Sequence, residues 1–326
     1  MRITNNENVP LGLAVWLLHD DYDYVDEENY ISATTLLKPI RHIVLPQRVP
    51  KELLELDISK NTSAAIGRSL HDSIEKAWNH GKDRALKLLG YPAEVIDRVL
   101  LNPTPEELAK ASDPIPVYIE QRNIKTVRVD GIDYRVGGKF DMILEGIVMD
   151  NKSTTAYTWM YGNRDDDYKL QGSIYRWLNP DKITEDFIRI NYIFTDWSKT
   201  YALSNPNYPQ KRLMSKDIPL MSIEETELWI KNKIRRIAVN KTLDEIDVEK
   251  CSDQDLWLGD TQYKYYLDPL KTSGRSTKNF DNHNDAKKFM AEKGNKGVIV
   301  IKHGEPKRCE WCAAFAICTQ RKELGL

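Results

Sequence analysis

The order of apolar and polar positions divides the chain into a helical opening, a β-rich middle and a mixed final stretch. Residues 1–60 alternate short apolar runs with polar turns, and Ser32-Ala33-Thr34-Thr35-Leu36-Leu37 reads as a capped helix start. From Ser63, Ile66, Leu70, Ile74, Ala77 and Trp78 recur every three or four residues, which predicts an amphipathic helix. Gly67, His71 and Glu75 stand four apart and share a neighbouring face of it. A second helix is expected after Pro92, and Thr104-Pro105-Glu106-Glu107 opens a third.

At Pro116 the period changes to two. Val117 and Ile119 alternate with polar residues, and Thr126–Asp130 and Ile132–Val136 flank an Asp-Gly hairpin turn. Gly137-Gly138 interrupts the pattern before Lys139-Phe140-Asp141-Met142-Ile143-Leu144, and Glu145-Gly146 turns the chain into Ile147-Val148-Met149-Asp150-Asn151-Lys152. A helix follows from about Asp166 to Leu178, then a strand over Phe187–Phe194. Residues 198–218 read as a loop or extended arm, and Ser222–Asn240 as a long helix.

Composition is that of a soluble enzyme, with 41% hydrophobic and 29% charged residues, which excludes collagen, disordered and disulfide-scaffold classes. Leu11–Leu18 is too short an apolar run to span a bilayer, so a cytoplasmic protein is expected, in a host cytoplasm if the chain is phage-encoded. A net charge of −2 provides no global field for a polyanion. Attraction would have to be local, for example at Lys231, Lys233, Arg235 and Arg236, or else these form the solvated face of a helix.

The meander carries the candidate chemistry. Residues two apart in a strand project to one side, so Asp150 and Lys152 point together, and the preceding strand brings Asp141 alongside. Two carboxylates and the Asn151 backbone carbonyl make an oxygen-rich site suited to Mg²⁺ or Mn²⁺. One or two such ions polarise a phosphate and lower the pKa of bound water, while Lys152 offsets developing negative charge.

Gly138-Lys139-Phe140-Asp141 followed by Asp150-Asn151-Lys152 resembles the PD-(D/E)XK nucleases, specifically their RecB-like branch. Its further marks, a helical His and a helical Gln-x-x-x-Tyr, have counterparts in His71 and in Gln171 and Tyr175, and the likeness spans roughly residues 63–178. The resemblance implies a restriction-endonuclease-like α/β core with a small mixed central sheet flanked by helices. It also implies that His71 ligates metal, that Gln171 orients the lysine or water, and that Tyr175 touches a phosphate. Glu120 is a further ligand candidate. The implied activity is DNA exonuclease action in replication, recombination or repair, with proteins of those processes as partners. The alternatives are a catalytically silent nucleic-acid-binding protein of the same fold and a metal hydrolase of small phosphoesters.

All four cysteines lie late in the chain, as Cys251 and the run Cys309-x₂-Cys312-x₅-Cys318. In an intracellular chain a metal explains such clustering better than disulfides, and four thiolates suit either Zn²⁺ or a [4Fe–4S] cluster. The C-terminal triplet is similar to that of iron–sulfur RecB-like nucleases, in which the lone cysteine precedes the nuclease motifs; here Cys251 follows them. Between Cys251 and Cys309, Trp257, Tyr263, Tyr265 and Tyr266 are interleaved with Lys264, Lys271, Arg275 and Lys278. The rings suit either a small core or base stacking, and the cations are candidate phosphate contacts. Three regions are expected: an N-terminal segment (1–62), the nuclease core (63–240) and a metal-stapled subdomain (241–326).

Overall fold

The structure, a computed structural model, describes residues 2–162 and 164–326. The chain opens with β1 (Arg2–Thr4), α1 (Leu11–Leu18), β2 (Tyr30–Ser32), α2 (Ala33–Leu36), α3 (Ile40–Val44) and β3 (Glu55–Asp57). The long α4 (Thr62–Leu88) leads through α5 (Ala93–Ile96), β4 (Val99–Leu101) and α6 (Pro105–Lys110) to the meander, β5 (Ile115–Val129), β6 (Ile132–Leu144) and β7 (Ile147–Thr154). Then come α7 (Ala156–Tyr161), α8 (Asp165–Leu178), β8 (Phe187–Phe194), α9 (Lys199–Ser204), β9 (Leu213–Pro219) and α10 (Ile223–Thr242). The remainder holds α11 (Asp253–Leu256), β10 (Gln262–Tyr266), β11 (Lys278–Phe280), α12 (His283–Glu292), β12 (Val298–Lys302) and α13 (Thr319–Glu323).

Two compact units result. One comprises Met1–Lys38 and Glu55–Arg236, the other Pro39–Leu54 and Ile237–Leu326. Residues 39–54 therefore group with the cysteine-bearing stretch, although they lie within the expected 1–62 segment. Two arginines explain this. Arg41 donates to the Val248 carbonyl, and Arg48 to the carbonyls of Asn240, Lys241 and Leu243 at the end of α10. They satisfy acceptors that helix termination leaves without partners.

The first unit is built on a mixed sheet in the order β4-β5-β6-β7-β8-β9, with β2 also pairing with β6. Its seven strands make it larger than the small sheet expected. The meander pairs antiparallel, while β7 and β8 run parallel and are joined by a crossover through α7 and α8. Ile74 and Trp78 of α4 pack against Val99, Val117, Ile119 and Met142. The α4 stripe is narrower than its spacing predicts, since Ile66 and Ala77 are exposed.

Two further readings are corrected. The Gly137-Gly138 pair does not break the strand, because β6 runs through it. A Cβ at Gly137 would stand 2.5 Å from the Tyr30 hydroxyl, and one at Gly138 would stand 2.9 Å from Tyr175 Cε1, so these glycines admit aromatic rings onto the strand. Residues 198–218 are not a bare arm. They hold α9 and β9, an edge strand ordered by its ladder with β8.

The second unit contains the sheet β11-β10-β12. Tyr265 and Tyr266 are buried in it, and Tyr265 meets the Phe289 ring edge-on, which settles these two rings as core.

Candidate active site and cysteine cavity

His71, projecting from α4, meets β5 and β6, the first two strands of the meander. Its Nδ1 lies 3.3 Å from Asp141 Oδ2 and 3.6 Å from Glu120 Oε1. One ligand atom from each of these residues falls within 4.8 Å of the others, the only such group of His, Cys, Asp or Glu among the described residues. The backbone explains how Glu120 arrives there. Its φ is +51°, a left-handed conformation that side-chain-bearing residues adopt rarely and at a cost. The β5–β6 ladder pairs Ile119 with Met142 and Gln121 with Phe140, but is interrupted at Glu120 and Asp141. Both interrupted residues are members of the group.

Asp150 and Lys152 project together, as the strand period requires, with Lys152 Nζ 2.6 Å from Asp150 Oδ2. Asp150 is 1% exposed, and despite this ion pair neither of its oxygens makes a well-formed hydrogen bond. Burial raises the pKa of its carboxyl, the Lys152 cation opposes that, and the Asp141 charge adds to it. Burial would lower the pKa of Lys152, but Asp150 and Asp141 outweigh it and keep the amine charged. With Lys152 as its one close cationic neighbour, this buried carboxylate is a site where a further cation would be welcome.

Asn151 links the two groups. Its backbone N–H donates to Asp141 Oδ2 at 2.8 Å. In a strand the N–H and C=O of one residue face the same edge, so the Asn151 carbonyl also faces the β6 side. There β6 has already left the ladder, whose last pair is Met142 with Met149. The β6–β7 ladder therefore supplies that carbonyl no partner.

The Asp141 carboxylate and then that of Glu120, beside Nδ1, raise the imidazole pKa to about 10. Lys139 Nζ pairs with Glu120 at 2.8 Å.

Gln171 Nε2 donates to the Tyr175 hydroxyl at 3.0 Å on α8. Tyr175 is 3% exposed, so its ring supports the site from within, and the surface phosphate contact expected of it is not available in this conformation. Its phenol pKa is raised by burial first, then by the charges of Asp150 and Asp141. Sequence reasoning assigned no role to Lys139, although it sits inside the Gly138-to-Asp141 motif. It also passed over Tyr22, whose ring lies 5.7 Å from Lys139 Nζ, and Tyr168, whose phenol pKa is raised by burial and lowered by nearby Lys152.

The proposed basic patch on α10 is largely engaged within the protein. Lys231 pairs with Glu227, Arg235 with Asp130, and the buried Lys233 donates to the Lys38 carbonyl. In the second unit, Lys278 stacks over Phe280 and Phe289, Lys271 pairs with Asp268, Lys264 lies on β10, and Arg275 is exposed. These four cations belong to a different unit from His71.

The four cysteines are all free thiols lining one cavity of the second unit, together with Arg41, Leu256, Gln320 and Arg321. Gln320 clamps Cys251, accepting from its N–H at 2.9 Å and donating to its carbonyl at 2.8 Å. The sulfurs are not gathered within 4.8 Å as the His71 group is. Burial pushes the Cys251 thiol up to about 12 and also raises those of Cys309 and Cys312, so without a metal these three stay protonated.

No family model and no curated protein matches the chain. Among solved structures, that of SSO0001 is similar over 65% of this chain and 78% of its own, at 18% identity and a TM-score of 0.41. The chain is thus an α/β protein with a mixed central sheet flanked by helices, and no helix among the described residues is long and apolar enough to cross a membrane.

Proposed function

We propose that this protein is a divalent-metal-dependent nuclease of the PD-(D/E)XK type, acting on DNA as an exonuclease. The observation that carries this reading is the convergence of His71, Glu120 and Asp141 beside the buried, donor-poor Asp150 and its partner Lys152. His71, Glu120, Asp141, Asp150 and the Asn151 carbonyl would hold Mg²⁺ or Mn²⁺. Such an ion supplies Lewis-acid polarisation of a phosphate and an acidified water. Lys152, kept cationic by the two aspartates, orients the attacking water and offsets charge on the phosphorane. Gln171 holds the Tyr175 hydroxyl, and Tyr175 fixes the floor on which the acidic strands rest. Roles in replication, recombination or repair suit such an activity.

The cysteine cavity has a structural task in this reading. A single zinc would draw its sulfurs to about 3.8 Å from one another, given Zn–S bonds of roughly 2.3 Å. Loading with either zinc or an iron–sulfur cluster would therefore have to draw the thiols into one ligand set.

The test is degradation of linear DNA with Mg²⁺ or Mn²⁺ by the wild type beside Lys152→Ala and Asp150→Ala. Each variant should lose at least about a hundredfold in rate. Equal degradation by all three would expose a contaminant and remove the proposal. DNA binding without cleavage by the wild type would favour the silent binding protein, and turnover of mononucleotides alone the small-phosphoester hydrolase.

A further inference from the structure

Arg41 is 1% exposed, the most deeply buried cation among the described residues. It reaches the cysteine cavity from α3. Nη1 makes an ion pair with Glu245 Oε1 and lies 3.4 Å from Cys318 Sγ. Nη2 donates to the carbonyls of Glu245 at 3.1 Å and Val248 at 2.9 Å, while Nε has no partner. Taking a guanidinium out of water costs several kcal/mol unless negative charge and hydrogen bonds offset it. The single carboxylate on it is shared, because Glu245 Oε1 also accepts from the Thr319 N–H.

A neutral thiol is a weak acceptor for such a donor, whereas a thiolate forms a charge-assisted hydrogen bond. Four thiolates around zinc or an iron–sulfur cubane leave the loaded site net negative. Arg41 already stands where that charge would develop, on the sulfur of Cys318 next to the first turn of α13.

We propose that Arg41 is a positioning residue for the metal of the cysteine cavity, holding the Cys318 sulfur by an N–H···S hydrogen bond and offsetting the charge of the loaded site. This rests on the reading of the four cysteines as a metal site. On loading, each thiol gives its proton to solvent and a sulfur electron pair to the metal; zinc binding is redox-neutral, and a [4Fe–4S]²⁺ cluster built from two Fe²⁺, two Fe³⁺ and four sulfides needs no further oxidant. Because the guanidinium also grips Glu245 and Val248, loading would fasten residues 39–54 onto the unit that carries the cysteines.

The experiment uses the full chain, loaded separately with Zn²⁺ alone and with equal amounts of Fe²⁺ and Fe³⁺ plus sulfide under anaerobic conditions. Metal release to a chelator is followed for the wild type, Arg41→Gln and Arg41→Lys. Arg41→Gln should release metal at least about tenfold faster, the scale for partners of metal ligands, and Arg41→Lys should recover part of the loss. The iron-loaded Arg41→Gln protein should also show a lower midpoint potential, since a cation that favours the added electron is gone; a purely structural role would leave that potential unmoved. Should Arg41→Gln fail to fold by circular dichroism, Arg41→Lys alone should still release metal several-fold faster. Release rates within twofold of the wild type, or an unshifted potential, would overturn the proposal while leaving the metal site in place. A wild type that takes up neither metal would remove both readings.

Discussion

His71 illustrates how one side chain reports on the whole candidate site. Without metal its folded pKa, about 10, lies above the ordinary value of 6.5, so its protonation stabilises the fold. That contribution is fully present below about pH 6.5 and is lost as pH rises through about 10. Thermal melts of metal-free protein should therefore fall over this window, and His71→Gln should flatten the profile. Divalent cation should compress the difference between high and low pH, because metal and proton compete for the imidazole. A wild-type profile already flat between pH 6.5 and 10 would contradict the assigned contacts. The pairing of Asp150 with Lys152, and Asp141 alongside, was legible because the strand period and a tight turn fix where their side chains point, whereas His71 entered only through the family resemblance. Glu120 was only a loose candidate, since its place depends on a left-handed backbone that no periodicity announces. Arg41 was invisible: its sulfur partner lies 277 positions away.

Close packing of helix on sheet is the element-scale requirement. A Cβ at Gly138 on β6 would come within 2.9 Å of Tyr175, and one at Gly172 on α8 within 2.8 Å of Ile188 Cβ and Leu220. Gly138→Ala and Gly172→Ala should each destabilise the protein by about 1–3 kcal/mol, read as a lower urea midpoint with unchanged slope. Gly138→Ala should in addition slow DNA cleavage, because Tyr175 must shift; Gly172→Ala should leave the rate per folded molecule unchanged. Equal catalytic losses would show that the ring does not support the site. The meander, α8 and β8 were readable from alternation and helical spacing. The strand at Leu213–Pro219 was not, since its ladder partner lies across α9 and a loop.

At the scale of the whole molecule, the apolar run that is too short for a membrane forms α1, and most of it faces outward. Leu11 is 80% exposed, and Leu13, Val15 and Leu18 are also exposed, while Leu17 is buried. Trp16 anchors the helix by donating to Ser69 on α4. Changing Leu11, Leu13 and Val15 together to Ser should reduce binding of a hydrophobic dye and shift the melting temperature by no more than a few degrees. A cooperative loss of fold would mean the helix is part of the core. Binding to DNA should weaken steeply with added salt, because a net charge of −2 leaves only local phosphate contacts to drive it.

The twist at residue 120 carries a consequence for anyone trying to harden this protein against heat. Holding a glutamate in a left-handed conformation costs on the order of 1–3 kcal/mol, and glycine would relieve most of that. Relief of that strain should offset the lost contacts with His71 and Lys139, so Glu120→Gly should unfold at about the wild-type temperature, while the proposed cleavage of DNA collapses. A screen for thermal tolerance alone would not reject that substitution, and its survivors would lack one of the groups proposed to hold the ion.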